Sequence, residues 1–174
     1  CFSPFVASPQ TNEEWVRPFP PFRIIGNIYW VGTWDLSTYL ITTPQGNILI
    51  NTGLAGTVPQ IEQGIEKLGF RLADTKILTA THGHSDHVAG LAELKRATGA
   101  KVAIAEQDVD RLETGGKADF EIGSNAKFHF EQGKVDRDRQ DVKNRPLGGE
   151  EETETSTHGT TTGANRHTTS GTER

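Results

Sequence analysis

Whatever core this chain can build must come from residues before position 148. After Leu147 there is no Val, Ile, Leu, Phe, Trp, Tyr or Cys, and Ala164 is the only aliphatic residue. Residues 148–174 hold nine Thr, five Glu and five Gly, without the alternation of a strand or the spacing of an amphipathic helix. Such a segment buries too little apolar area to offset the entropy of ordering it. It is read as a polar Thr/Glu/Gly-rich stretch apart from the fold. At the other end, five of the eight prolines fall within residues 1–22, and residues 1–20 read as an extended arm. The stretch 21–147 remains, enough for one domain with a sizeable core. The overall hydrophobic content of 33% averages over these unlike parts.

Several function classes can be set aside. A net charge of −5 with no basic stripe argues against nucleic acid as a partner. No apolar run approaches the roughly 18 residues of a membrane span. The sequence contains no methionine and so does not open on a start codon, which leads us to expect a removed signal sequence and a periplasmic or secreted protein. The sole cysteine, Cys1, precludes an intrachain disulfide. Standing ahead of the polar arm SPFVASPQTNEE, it would suit a lipid-anchored bacterial lipoprotein, and an arbitrary boundary is the alternative. There is no internal repeat.

Within the central stretch, FRIIGNIYWVG (22–32) and STYLITT (37–43) are rich in β-branched and aromatic residues and read as strands. The turn PQG (44–46) leads into a returning strand, NILIN (47–51), which Asn51-Thr52-Gly53 ends abruptly. Val58, Ile61, Ile65 and Leu68 mark one face of a helix that Gly69 can cap. KILTA (76–80) reads as a strand covered on both faces. Val88, Leu91 and Leu94 continue one helical face from Asp86 to Gly99. KVAIA (101–105) is a further strand, followed by a short helix carrying Val109 and Leu112. A β-meander followed by alternating helix and strand predicts an α/β layered domain with helices covering a mixed sheet.

Between the KILTA strand and the next helix lies HGHSDH, three of the chain's six histidines and an aspartate in six positions. His82 and His84, two apart in extended chain, point to one side. Asp86 and His87 follow at the turn into the helix, where the chain has rotated. The motif thus offers two half-sites: two imidazoles for one metal, a carboxylate and an imidazole for another. These are ligands that zinc accepts in hydrolytic sites with a position open for water. Two such ions can share a hydroxide and stabilise both entering and leaving atoms, and Asp86 could also orient that hydroxide. Asn51, closing the neighbouring strand, could hydrogen-bond a ligand. Each half-site still needs a ligand from elsewhere, and only His129, His158 and His167 remain. His129, in KFHF, alternates with Phe128 and Phe130 and reads as the exposed face of a strand. His158 and His167 lie in the polar stretch.

HGHSDH resembles the metal-binding signature of the metallo-β-lactamase superfamily, whose lactonases, thioesterases and nucleases share it. The flanks PFRIIGNIYWVGTWDLSTYLITTPQGNILINTGL, KLGF, DTKIL, GGKADF, KVDR and LGG resemble the zinc β-lactamases of subclass B3, over about residues 21–149. The resemblance implies an αββα sandwich, of which this chain carries largely the N-terminal half, and a dizinc site that opens the β-lactam ring. His82 and His84 would serve the first zinc, Asp86 and His87 the second. A bridging hydroxide would attack the lactam carbonyl while the second zinc steadies the departing nitrogen. Thr160 stands where the family's third histidine of the first site is expected, and a shift of two positions would bring His158 there. A lactone or thioester hydrolase, or an inactive fragment with residual zinc affinity, are the alternatives.

Overall fold

The computed structural model describes residues 13–136. Its frame is one six-stranded sheet whose strands lie in chain order. They are β1 (Phe22–Ile25), β2 (Ile28–Trp30), β3 (Tyr39–Ile41), β4 (Asn47–Ile50), β5 (Thr75–Thr79) and β6 (Lys101–Val102). The first four are antiparallel neighbours, whereas β4–β5 and β5–β6 run parallel. Helix α1 (Glu13–Val16) precedes the sheet. The parallel crossovers carry α2 (Val58–Lys67), then α3 (Ser85–Val88) and α4 (Leu91–Thr98). Helix α5 (Glu106–Glu113) follows β6. The mixed α/β architecture expected from the sequence is the one observed.

Register separates the two faces of the sheet. Tyr29, Leu40, Leu49, Leu78 and Val102 form one cross-strand row, and its four aliphatic members are fully buried. Ile61 and Ile65 of α2, Leu91 and Leu94 of α4, and Val109 and Leu112 of α5 belong to the same core. The adjacent row, Ile28, Ile41, Ile48 and Ile77, lies on the opposite face, and Ile77 is 37% exposed. KILTA, expected to be covered on both faces, is therefore fully covered on one. The isoleucine face is the one a two-sheet sandwich would close over.

Four local expectations are corrected. FRIIGNIYWVG is two strands, because Gly26, at φ +54°, lets the chain reverse through Gly26-Asn27 and pair Ile25 with Ile28. The helix read from Asp86 to Gly99 is broken into α3 and α4 at Gly90. A Cβ there would meet the Thr52 carbonyl oxygen and a Val58 methyl, each at 2.6 Å, so close approach of this turn to the β4–α2 loop requires glycine. KVAIA pairs only through Lys101 and Val102 before turning toward α5. Within the arm read as extended, Glu13–Val16 form a single helical turn. It is tied to the β2–β3 loop by Trp15 Nε1 donating to Asp35 (3.1 Å) and Thr33 Oγ1 donating to the Trp15 carbonyl (2.8 Å). Residues 1–12 of that arm and the 148–174 stretch lie outside the described residues.

Candidate metal centre

Strand β5 ends at Thr79 in the sheet's parallel region, and the chain passes through residues 80–84 before α3 begins. Strand ends in parallel sheets leave backbone groups without ladder partners, and here the neighbouring strand end supplies them. Asn51 takes φ +62°, a left-handed conformation that asparagine tolerates, and it is 1% exposed. Its backbone N–H donates to the Thr79 carbonyl at 2.9 Å, and its side-chain Oδ1 accepts the Thr81 N–H at 3.0 Å. Thr52 then donates twice to the His87 carbonyl, from its backbone N–H (2.8 Å) and its hydroxyl (3.1 Å). The abrupt Asn-Thr-Gly strand end thus anchors both ends of the motif loop.

The loop brings the four predicted side chains together. The His82 ring centroid lies 4.7 Å from that of His84 and 4.0 Å from that of His87. One ligand atom from each of His82, His84 and Asp86 lies within 4.8 Å of the others. His87 Nε2 stands 3.1 Å from Asp86 Oδ2. The residues therefore form one contiguous cluster, with Asp86 reaching toward the histidine pair as well as toward His87. Two nitrogens and a carboxylate oxygen at this spacing suit a borderline divalent cation such as zinc.

Electrostatics keep these donors available. Burial, with the neighbouring His87 and His84, lowers the tendency of His82 to protonate, against an opposing pull from Asp86 and Asp108. Burial alone would raise the Asp86 carboxyl, but the hydrogen bond and charge of His87 outweigh it and hold Asp86 below the usual carboxylate range. A neutral imidazole and an ionised carboxylate are the forms that bind metal.

Two supports were not read from the sequence. Thr81 Oγ1 lies 3.3 Å from Nδ1 of His82, 3.3 Å from Nδ1 of His87 and 3.2 Å from Asn51 Oδ1. Asn51 Oδ1 can only accept, so the single hydroxyl proton goes there, and His82 then presents Nδ1–H to the hydroxyl oxygen. That leaves Nε2 of His82 facing away from the support, while Nε2 of His87 faces the Asp86 carboxylate. The expectation that Asn51 would bond a ligand is corrected: it reaches His82 and His87 through Thr81. On the opposite flank, His84 Nε2 lies 3.2 Å from Asp119 Oδ2, which also receives Arg111 Nε at 2.8 Å. Arg111 donates to Asp108 at 2.7 Å, and its charge is reinforced chiefly by that bond. The backbone N–H groups of Ile122 and Glu121 hold the Asp119 carboxyl below the usual range, with Arg111 and His84 adding to the effect. Thr81 adjoins the motif, and GGKADF contains Asp119, but pattern alone does not reveal that either side chain meets an imidazole.

His129 is not on a strand. It follows a short 3-10 turn (Ala126–Phe128), and its Nε2 donates to the Gly123 carbonyl at 2.9 Å, a local structural role. His158 and His167 lie outside the described residues.

The native FEZ-1 metallo-β-lactamase of Legionella gormanii is 51% identical, with a TM-score of 0.68, over 69% of this chain and 46% of that one. The class B3 di-zinc metallo-β-lactamase LRA-12 from an Alaskan soil metagenome is 48% identical, with a TM-score of 0.71, over 74% of this chain and 48% of that one. Hydroxyacylglutathione hydrolase of Cereibacter sphaeroides is 48% identical over 52 residues, 30% of this chain and 19% of that protein. The matches thus span about half the length of the two solved structures and a smaller share of the hydroxyacylglutathione hydrolase. The family model described as metallo-beta-lactamase superfamily matches residues 31–169, most of the sequence, and the chain belongs to that superfamily.

Proposed function

We propose that this chain carries the first part of the active site of a zinc-dependent β-lactamase, which hydrolyses the amide bond of a β-lactam. The observation that carries the reading is the His82–His84–Asp86 cluster, with His87 beside Asp86, set in a fold shared with subclass B3 enzymes at 48–51% identity. His82, His84, Asp86 and His87 would hold the metal, two zinc ions in the full site, with His158 as a further candidate. Bound zinc brings water toward ionisation near neutral pH and stabilises negative charge developing on a substrate carbonyl. The chain's own part is to present unprotonated nitrogens, keep Asp86 ionised and hold all four groups on one rigid loop. A periplasmic or secreted location would fit a protein that meets antibiotics outside the cytoplasm. Hydrolysis of nitrocefin that is lost with a chelator and restored by zinc is the expected result. No turnover by zinc-replete protein would overturn the β-lactam assignment.

The hydroxyacylglutathione hydrolase match favours a second reading, a thioester as substrate. Assay of one preparation on nitrocefin and on a glutathione thioester separates the two. Calorimetry addresses a third, that these 174 residues are an inactive fragment with residual zinc affinity. Tight binding of about two zinc ions per chain, in the manner of a dinuclear hydrolase, contradicts it.

A further inference from the structure

Asp119 lies 35 residues beyond His84, and its side chain is only 2% exposed. All its recorded partners are donors. Oδ1 accepts the backbone N–H groups of Glu121 and Ile122, both at 2.9 Å, while Oδ2 accepts Arg111 Nε at 2.8 Å and faces His84 Nε2 at 3.2 Å. An ionised carboxylate can only accept, so His84 must carry its proton on Nε2. Nδ1 is then the ring's one free lone pair. This is the opposite of His82, whose Nδ1 faces Thr81. The acid is also firmly placed. Two of its donors belong to its own turn, and Arg111, a permanent cation, is held by Asp108 on α5. Helix α5 in turn packs on the motif loop: a Cβ at Gly83 would meet Asp108 Oδ1 at 3.1 Å and Arg111 Cβ at 3.2 Å.

We propose that Asp119, anchored by Arg111, is the positioning residue of the metal centre, selecting the nitrogen through which His84 binds metal. The proposal rests on the reading of His84 as a ligand, but its central claim concerns the imidazole tautomer and holds in metal-free protein. Substitution by asparagine is the sharp probe. The two backbone donors retain the amide oxygen, which turns the NH2 toward His84. Nε2 must then accept, and the proton moves to Nδ1, the atom the metal requires. Alanine merely removes the acceptor and leaves the tautomer unselected.

Histidine-15N NMR of the metal-free chain, with zinc competition against a chromophoric chelator, tests this. In the wild type His84 is protonated on Nε2. Asp119→Asn moves the proton to Nδ1 and weakens zinc binding more than Asp119→Ala, for which a loss of about 10–100-fold is expected. Arg111→Gln, which leaves the two backbone donors on Asp119, retains the tautomer with a smaller loss. A His84 tautomer unchanged in Asp119→Asn, or equal zinc affinity in wild type and both Asp119 variants, would overturn the proposal. A wild type that binds no zinc instead removes the ligand reading, and the tautomer measurement still decides the role of Asp119.

Discussion

The two flanks of the metal centre solve the same problem with different chemistry. On the strand side, His82 and His87 rest on a neutral relay, the Thr81 hydroxyl backed by the Asn51 amide. On the helix side, His84 rests on a charged one, the Asp119 carboxylate backed by Arg111 and Asp108. A neutral hydroxyl makes weaker bonds than a charged pair, so the strand flank can yield as its two imidazoles shift. A carboxylate held by two backbone N–H groups and a guanidinium has no such freedom. One flank therefore yields while the other fixes a reference point.

The comparison can be broken most severely at the candidate ligands themselves. His82→Ala or Asp86→Ala should weaken zinc binding beyond the 10–100-fold typical of outer-shell changes, as read by chelator competition. A loss no larger than that from Thr81→Val would show that the ligand set is misassigned. Next in size is the root of the neutral flank. Asn51→Ala leaves the Thr81 N–H without its acceptor and places alanine at a left-handed φ. Denaturant unfolding of the metal-free chain should show a loss of about 1–3 kcal/mol. Thr81→Val should reduce zinc affinity by about 10-fold, while Thr81→Ser, which keeps the hydroxyl, stays close to wild type. Equal effects of Val and Ser would remove the relay from the account.

The smallest effect is a pH signature that tells the flanks apart. Folding lowers the His82 pKa below its ordinary 6.5, so the unfolded chain binds the extra proton and stability falls as pH drops through that region. Folding also lowers the Asp119 carboxyl below 3.8. Its contribution is complete above that value and is lost as pH falls through the folded pKa. Thermal unfolding of metal-free protein from neutral to acid pH should therefore decline in two stages, the histidine flank first. Asp119→Ala should flatten only the second. A flattened first stage instead would mean that the flanks are coupled.

Residue types and spacing are enough to mark the cluster of candidate ligands, because HGHSDH is local and its side chains are five positions apart at most. The same holds for the core, where Ile61, Ile65, Leu91 and Leu94 announce their faces through helical spacing. The supports escaped notice for a physical reason. Thr81 and Asp119 are ordinary residues made important by closures of 30 and 35 residues, and periodicity carries no record of such distant contacts. Gly26 and Gly90 leave no mark in the pattern for a different reason. An apolar pattern continues through each, and only backbone freedom at one point, or crowding at the other, breaks the element.

The chain-order arrangement of the sheet has a kinetic consequence. Because β1 to β4 each pair with their neighbour in sequence as antiparallel strands, that part of the sheet can grow by successive short closures, with little loop entropy lost at each. The links that lock the motif loop, Thr81 to Asn51 and His84 to Asp119, span longer separations and require β4, β5 and α5 to be in place already. Pulse-labelled hydrogen exchange should find the amides of β2–β4 protected before the Thr81 N–H. The site is then the last part of this structure to close, and an ion captured there would hold shut what the rest of the chain has assembled.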